Sequence, residues 1–119
     1  MGIHLIQKIS EIPEIVMKDE FVIQEYLDKP MLIENKKFDL WMYLVCFGLE
    51  PMHAYAYWEG MVWICTADYE APNKENMKNV FMHLSNYSLN KENENFSKDL
   101  IGGSKWTFSS LINSFENEE

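Results

Sequence analysis

The run from Lys37 to Phe47 constrains this chain more than any other stretch. Phe38, Leu40, Met42, Leu44 and Cys46 fall on one face at period two, and Asp39, Trp41, Tyr43, Val45 and Phe47 fall on the other. Strand side chains alternate between faces, so the run predicts a strand. Both faces are largely apolar, which predicts that the strand is covered on both sides. Met52 to Trp58 and Met61 to Thr66 predict two further strands. Glu59-Gly60 between them reads as a two-residue hairpin turn in which glycine supplies the positive φ. The middle third is therefore expected as an antiparallel meander of three strands.

The flanks carry weaker signals. His4, Leu5 and Ile6 predict a short strand. Ser10 before Glu11-Ile12-Pro13-Glu14 predicts a short helix, with a first-turn proline and two acids complementing the helix dipole, ending near Lys18. Phe21 to Tyr26 is β-rich, and the Lys29-Pro30 step closes it. After Pro72, the spacing of Met77, Val80, Phe81 and Leu84 predicts a helix turning into a loop. Residues 87 to 98 read as polar and irregular, and Gly102-Gly103-Ser104 punctuates the chain. Thr107 is placed to cap a last helix with the apolar stripe Phe108, Leu111, Ile112 and Phe115. The expected fold class is α+β, mainly an antiparallel sheet with flanking helices, in one domain over residues 1–115 with a polar tail at 116–119.

Composition bounds the function. A chain of 119 residues suits one domain, and one that buries roughly two-thirds of its unfolded surface. All ten basic residues are lysine, set against 19 acidic ones for a formal charge of −9, and there is no arginine. That balance argues against a nucleic-acid partner, because phosphate binding needs clustered positive charge and favours guanidinium. No apolar run approaches the roughly 20 residues needed to cross a bilayer, so no membrane partner is expected. Met1 to Ile6 carries no basic flank followed by an apolar stretch, so no signal peptide is expected. Cys46 and Cys65 lack metal spacing and read as buried thiols of a reducing compartment. Asn86-Tyr87-Ser88 and Asn95-Phe96-Ser97 match a glycosylation acceptor, read here as chance matches.

Motif chemistry read from residues alone is modest. There is no glycine-rich phosphate loop, metal-ligand cluster or nucleophile elbow. Asp39 is unusual, because burying a lone carboxylate in an apolar strand is expensive. Two readings stand level: Asp39 pairs with Lys37 or points into a cleft as a structural matter, or the two line a site together. Gln24 reads first as solvent-facing, and His83 as a hydrogen-bonding residue rather than a catalyst.

Three stretches in order carry a resemblance. FVIQEYLDKPMLIENKKFDLWMYLV (residues 21–45), FMHLSNYSLNKENENF (81–96) and GSKWTFSSL (103–111) together resemble the tubulin–tyrosine-ligase-like family, from Gly2-Ile3 to about Leu111. NYSLNKENENF is most similar to the tubulin polyglutamylases within it. The resemblance implies part of an ATP-grasp domain, whose two α+β lobes close on ATP. It implies a ligase in which ATP phosphorylates a carboxylate and an amine attacks the acyl phosphate, joining glutamate to acidic tubulin tails. It implies ATP and Mg²⁺ as cofactors, tubulin or microtubules as partners, and a cytoplasmic, cytoskeletal or ciliary and basal-body location.

Residue by residue, the resemblance implies that Gln24, Glu25, Tyr26 and Leu27 border adenine. Lys37 and Asp39 match the family's K-F-D, with Lys37 near the phosphates and Asp39 orienting the nucleotide. His83, Ser85 and Asn86 match H-L-T-N along the nucleotide and amino-acid site, with serine keeping threonine's hydroxyl. Tyr87 and Lys91 are expected beside the bound amino acid, and Gly2-Ile3 at the tail of the loop covering the phosphates.

Departures from the family pattern are as specific as the matches. The upstream lysine of the phosphate loop and the Asp, Glu and Asn that bind Mg²⁺ have no counterpart in the chain. Family arginines are replaced at Trp41, Trp63 and Trp106, while Trp58 and His53 stand where basic residues are common. Trp41 and Trp63 matter most, because those arginines would hold phosphate and the substrate carboxylate. Indole offers one N–H and no charge, and losing such a charge-assisted contact typically costs about 2 to 4 kcal/mol of transition-state stabilisation. Three origins stand open: a degenerate gene copy, arginine codons read as tryptophan, or a non-catalytic descendant. Two functions follow: an incomplete piece of an ATP-dependent tubulin glutamate ligase, inactive by itself, or a non-catalytic remnant or interaction module without ATP and substrate clamps.

Overall fold

The computed structural model describes residues 3–14, 18, 20–98 and 103–117. It is an α+β fold built on one four-stranded antiparallel sheet in the order β1-β2-β3-β4. The strands are β1 (Leu32–Ile33), β2 (Lys36–Leu49), β3 (Met52–Ile64) and β4 (Lys105–Thr107). Three helices accompany them: α1 (Val80–His83), α2 (Tyr87–Asn90) and α3 (Phe108–Glu116).

The strong period-two run becomes β2, as expected. The meander does not form. β3 runs unbroken through Glu59-Gly60, and the turn lies at Glu50-Pro51, where Leu49 pairs with Met52. Gly60 has no positive φ; among the described residues the glycine that does is Gly48, at 72°. Gly60 instead permits close approach: a Cβ there would lie 2.7 Å from the Trp41 carbonyl oxygen and 2.8 Å from the Met42 sulfur. The sheet register shifts beside it, Met42 facing Gly60 and Leu44 facing Ala56, so β3 bulges over Tyr57–Glu59. A second hairpin, between β1 and β2, turns on Glu34 and Asn35 with φ 47° and 62°. That pair of positive φ values matches the strand twist.

Several flanking expectations change. His4–Ile6 and Phe21–Tyr26 form no strand; they have strand-favouring side chains but no ladder partner among the described residues. In place of the first helix a 3-10 turn spans Ile9–Glu11. Ile12 precedes Pro13 and is extended, with ψ 122°, because proline's ring disfavours a helical predecessor. Residues 15–17 of the expected helix, and Gly2 and Gly102, lie outside the described residues. The helix expected from Met77 shrinks to α1. Asn73 and Asn76 divert the backbone: Asn73 Oδ1 accepts from the N–H groups of Glu75 and Asn76 at 2.8 and 3.0 Å, and Asn76 Oδ1 from Asn73 N–H at 2.8 Å. Conversely, α2 forms inside the stretch expected to be irregular.

The core lies on one face of the sheet. Ile33, Val62, Ile64 and Trp106 pack with Leu111 of α3, and Phe38 and Phe108 lie against them. Thr107 caps α3 as expected, its hydroxyl accepting from Ser110 N–H at 3.1 Å. Beyond Phe38, β2 is exposed on both faces, contrary to the covered strand the pattern predicts. Cys65 is buried as expected, but Cys46 is exposed on this hairpin.

Candidate functional site

The functional geometry starts from the alternation of β2. Lys37 and Asp39 share the face opposite the core, and their ammonium and carboxylate stand 3.8 Å apart. Lys37 Nζ also donates to the His83 carbonyl at 3.0 Å. The Ser85 hydroxyl donates a short hydrogen bond to the second Asp39 oxygen. Tyr26 completes the group: its hydroxyl is 3.1 Å from His83 Nδ1, and Lys37 Nζ lies 5.7 Å from its ring centre. One strand and one short extended segment, residues 84–86, thus hold an ammonium, a carboxylate and a hydroxyl in register.

Each ionisable group has a physical setting. His83 is fully buried. Burial foremost, with the Lys37 charge, holds its pKa below the ordinary value and outweighs the neighbouring Asn76 backbone, so the ring is neutral near pH 7. Its Nε2 is buried and makes no hydrogen bond of good geometry. Burial also raises the Tyr26 phenol well above its usual range. Cys65 is pushed up to about 12 by burial first, Lys37 opposing and Asp39 assisting, so its thiol stays protonated.

Tyr26, Lys37, Asp39, His83 and Ser85 line a cleft of about 750 Å³, within the range of small-molecule sites. Gln24, Glu25, Tyr26, Lys37, Asp39, His83, Ser85 and Asn86 all contribute to its wall. The backbone of residues 24–27 makes no main-chain hydrogen bond among the described residues, so its N–H and C=O groups are available to a ligand. Leu27 is 78 % exposed and lies outside the cleft. Lys91 is also outside and pairs with Glu92 at 3.9 Å. Gly2 is not among the described residues.

Trp41, Trp63 and Tyr87 form a separate row beside the carboxylate. Trp63 is the cross-strand partner of Asp39. Ring centres are 6.2 Å apart for Trp41 and Trp63, 5.3 Å for Trp63 and Tyr87, and 5.6 Å for Tyr87 and Phe96. Lys105 Nζ lies 5.3 Å from the Trp63 ring centre, a cation–π contact. Trp106 points to the other face, into the core. Trp58 is 72 % exposed.

Two supports escaped sequence reasoning. Asn90, 1 % exposed, accepts from Thr66 N–H and hydroxyl at 3.0 and 2.9 Å and donates to the Leu84 and Asn86 carbonyls at 2.7 and 3.0 Å. It clamps residues 84–86, and hence Ser85, to the end of the sheet. Tyr69 donates to the Asp28 carbonyl at 2.8 Å and fixes the segment after Tyr26. Neither residue sits in a pattern that distinguishes it from surface asparagine or tyrosine.

The fold and cleft define an α+β protein with a lysine–carboxylate–hydroxyl site on a sheet face. The chain belongs to the tubulin-tyrosine ligase family, whose model matches residues 1–119. Among curated relatives, tubulin polyglutamylase TTLL7 of Homo sapiens is 40% identical over 98 residues, 82% of this chain and 11% of that protein. Tubulin polyglutamylase TTLL11 of Mus musculus is 44% identical over 93 residues, 76% of this chain and 13% of that protein. A probable beta-tubulin polyglutamylase of Tetrahymena thermophila is 37% identical over 105 residues, 84% and 9% respectively. The chain therefore spans only about a tenth of the length of these relatives.

Proposed function

We propose that residues 1–115 form part of the ATP-grasp domain of a ligase that adds glutamate to tubulin tails, with 116–119 a polar tail. The observation that carries this is the joining of Tyr26, Lys37, Asp39, His83 and Ser85 on one cleft. The relatives' names, tubulin polyglutamylases, supply the substrate class.

The wall suits ATP. The unpaired backbone at residues 24–27 offers N–H and C=O groups to the adenine edge, and Tyr26 offers a ring face. Lys37, held by the His83 carbonyl, directs its ammonium at phosphate oxygens. Asp39, held by Ser85, orients the nucleotide. Asn86 lines the cleft and is assigned to the amino-acid side, whereas Tyr87 and Lys91, expected there from the resemblance, lie outside its wall, Tyr87 against Trp63 and Lys91 paired with Glu92. ATP, if bound there, would supply the phosphoryl group that activates a carboxylate, so that an attacking amine could form the amide with phosphate as the leaving group. Mg²⁺ is a different matter: among the described residues no three His, Cys, Asp or Glu side chains converge as a metal site, and Asp39 alone does not make one. The tryptophans at 41 and 63 carry no charge, and among the described residues Lys37 is the cation that pairs with Asp39, so this chain alone is expected to bind nucleotide without ligating. The cytoskeleton, including cilia, is the corresponding location. Within the described residues no helix is long and apolar enough to cross a membrane.

Titration calorimetry with Mg·ATP tests the reading. Binding that weakens about tenfold or more in Lys37→Ala, with the fold intact by circular dichroism, is the expected result. Absence of binding at millimolar Mg·ATP overturns the nucleotide site.

A further inference from the structure

His83 stands where four parts of the cleft meet. It ends α1 and is fully buried. Its carbonyl accepts from Lys37 Nζ on β2 at 3.0 Å. Its ring Nδ1 is 3.1 Å from the hydroxyl of Tyr26, on the segment assigned to the base. The ring also meets Tyr26 and Tyr69 edge-on, with centres 5.7 and 5.9 Å apart and planes at 89° in both pairs. Residues 84–86 follow it directly and carry Ser85 to Asp39. A neutral imidazole has one N–H and one bare nitrogen. The Tyr26 phenol, raised by burial, keeps its proton and can donate it only to a bare Nδ1. The ring proton then belongs on Nε2.

We propose that His83 is a positioning residue: its ring, bare at Nδ1, latches Tyr26 while its carbonyl holds Lys37, so that one buried residue fixes the base end of the cleft against the phosphate end. This role rests on the nucleotide reading above and adds a regulator to that site, proton uptake by His83. A proton on Nδ1 removes the acceptor of the Tyr26 hydroxyl and sets a second positive charge against Lys37. The groups around the ring hold it neutral. Lys37 from β2 repels a proton, Tyr26 and Tyr69 are phenols that stay uncharged, and Asp39 pairs with Lys37 and Ser85 instead. Tyr87, the titratable residue of α2, turns to Trp63. The Asn76 backbone favours the proton, but burial outweighs it. The latch is therefore closed at neutral pH and opens as pH falls through the lowered value of His83.

A double-mutant cycle read by titration calorimetry with Mg·ATP tests the latch. His83→Phe keeps a ring and the carbonyl but has no nitrogen, and Tyr26→Phe keeps the ring face but has no hydroxyl. Each is expected to weaken binding about threefold to tenfold, the worth of one hydrogen bond. The double variant is expected to weaken it no further, because both changes remove the same contact. The affinities of wild type and His83→Phe are expected to converge between about pH 7.5 and about pH 5.5, where the wild-type ring takes up its proton. Nitrogen-15 NMR of the wild-type chain needs no variant to fold: it is expected to show His83 bare at Nδ1 and protonated at Nε2 near neutral pH. A ring proton on Nδ1, additive losses in the cycle, or unchanged binding in His83→Phe would each overturn the latch. A wild-type chain that leaves millimolar Mg·ATP unbound overturns the nucleotide reading instead, and the tautomer seen by NMR still decides whether His83 latches Tyr26.

Discussion

At the scale of the residue, the site depends on polar side chains whose importance comes from where they are buried. Asn90 uses its carbonyl and both amide protons against four groups on Thr66, Leu84 and Asn86. Truncation leaves the Thr66 N–H and hydroxyl buried and unpaired, at about 1–3 kcal/mol for each, while the Asn86 carbonyl keeps the N–H groups of Leu89 and Asn90. Asn90→Ala is therefore expected to lower stability by roughly 3 kcal/mol or more in urea denaturation. Asn90→Asp keeps the acceptor but loses both donations, and is expected to lose stability as well. A loss under about 0.5 kcal/mol for Asn90→Ala, the ordinary range of a surface substitution, would show that the clamp does not hold residues 84–86. Lys37 and Asp39 were legible in the sequence because a charge in an apolar strand needs a reason. Asn90 was not, since a buried asparagine leaves no periodic trace and its partners lie 4 to 24 residues away.

At the scale of the element, the strongest period was read correctly and its punctuation was not. The two-residue periodicity of β2 survives because it reflects backbone geometry. Glu59-Gly60 looked like a turn because the same dipeptide serves a hairpin or a bulge; which of them forms depends on what lies opposite. Here the bulge carries the Glu59 carboxylate to the start of α3. It accepts from Gly60 N–H at 3.0 Å, from Ser109 N–H at 3.1 Å and from the Ser109 hydroxyl at 2.8 Å. The anion at a helix N-terminus joins β3 to α3. The Gly60 N–H foremost, then Ser109, holds the Glu59 pKa below the usual carboxylate value. A pKa lower in the folded than in the unfolded chain contributes stability above the unfolded value, near about 4.3. That stability is lost as pH falls through the lower folded value. Melting temperature is therefore expected to fall from pH 5 towards pH 3 more steeply in the wild-type chain than in Glu59→Gln. Parallel curves for the two would mean that the carboxylate does not join the elements.

At the scale of the whole molecule, the chain is more open than its length suggests. Its radius of gyration is 17.2 Å, against about 13–14 Å for a compact domain of this size. The apolar hairpin and the residues before β1 are exposed, the same parts where strand-like sequence found no cover among the described residues. Sequence patterns register what a side chain prefers, and partners beyond the described sheet decide whether that preference is met. What remains is a small core of Ile33, Val62, Ile64, Trp106 and Leu111. Folded domains hold only about 5–15 kcal/mol in total, so each of these residues carries a large share. Leu111, 4 % exposed, is the helix's only buried residue, whereas the adjacent Ile112 is 42 % exposed. Leu111→Ala is expected to cost about 2–5 kcal/mol by creating a cavity under α3. Ile112→Ala, one position along the same helix, is expected to cost less than about 1 kcal/mol, since alanine's helix propensity offsets part of the lost contact. The check is the urea midpoint of each variant. Equal losses at the two positions would mean that α3 is covered on its outer face as well, and that the sheet face against Leu111 is not where this chain's stability resides.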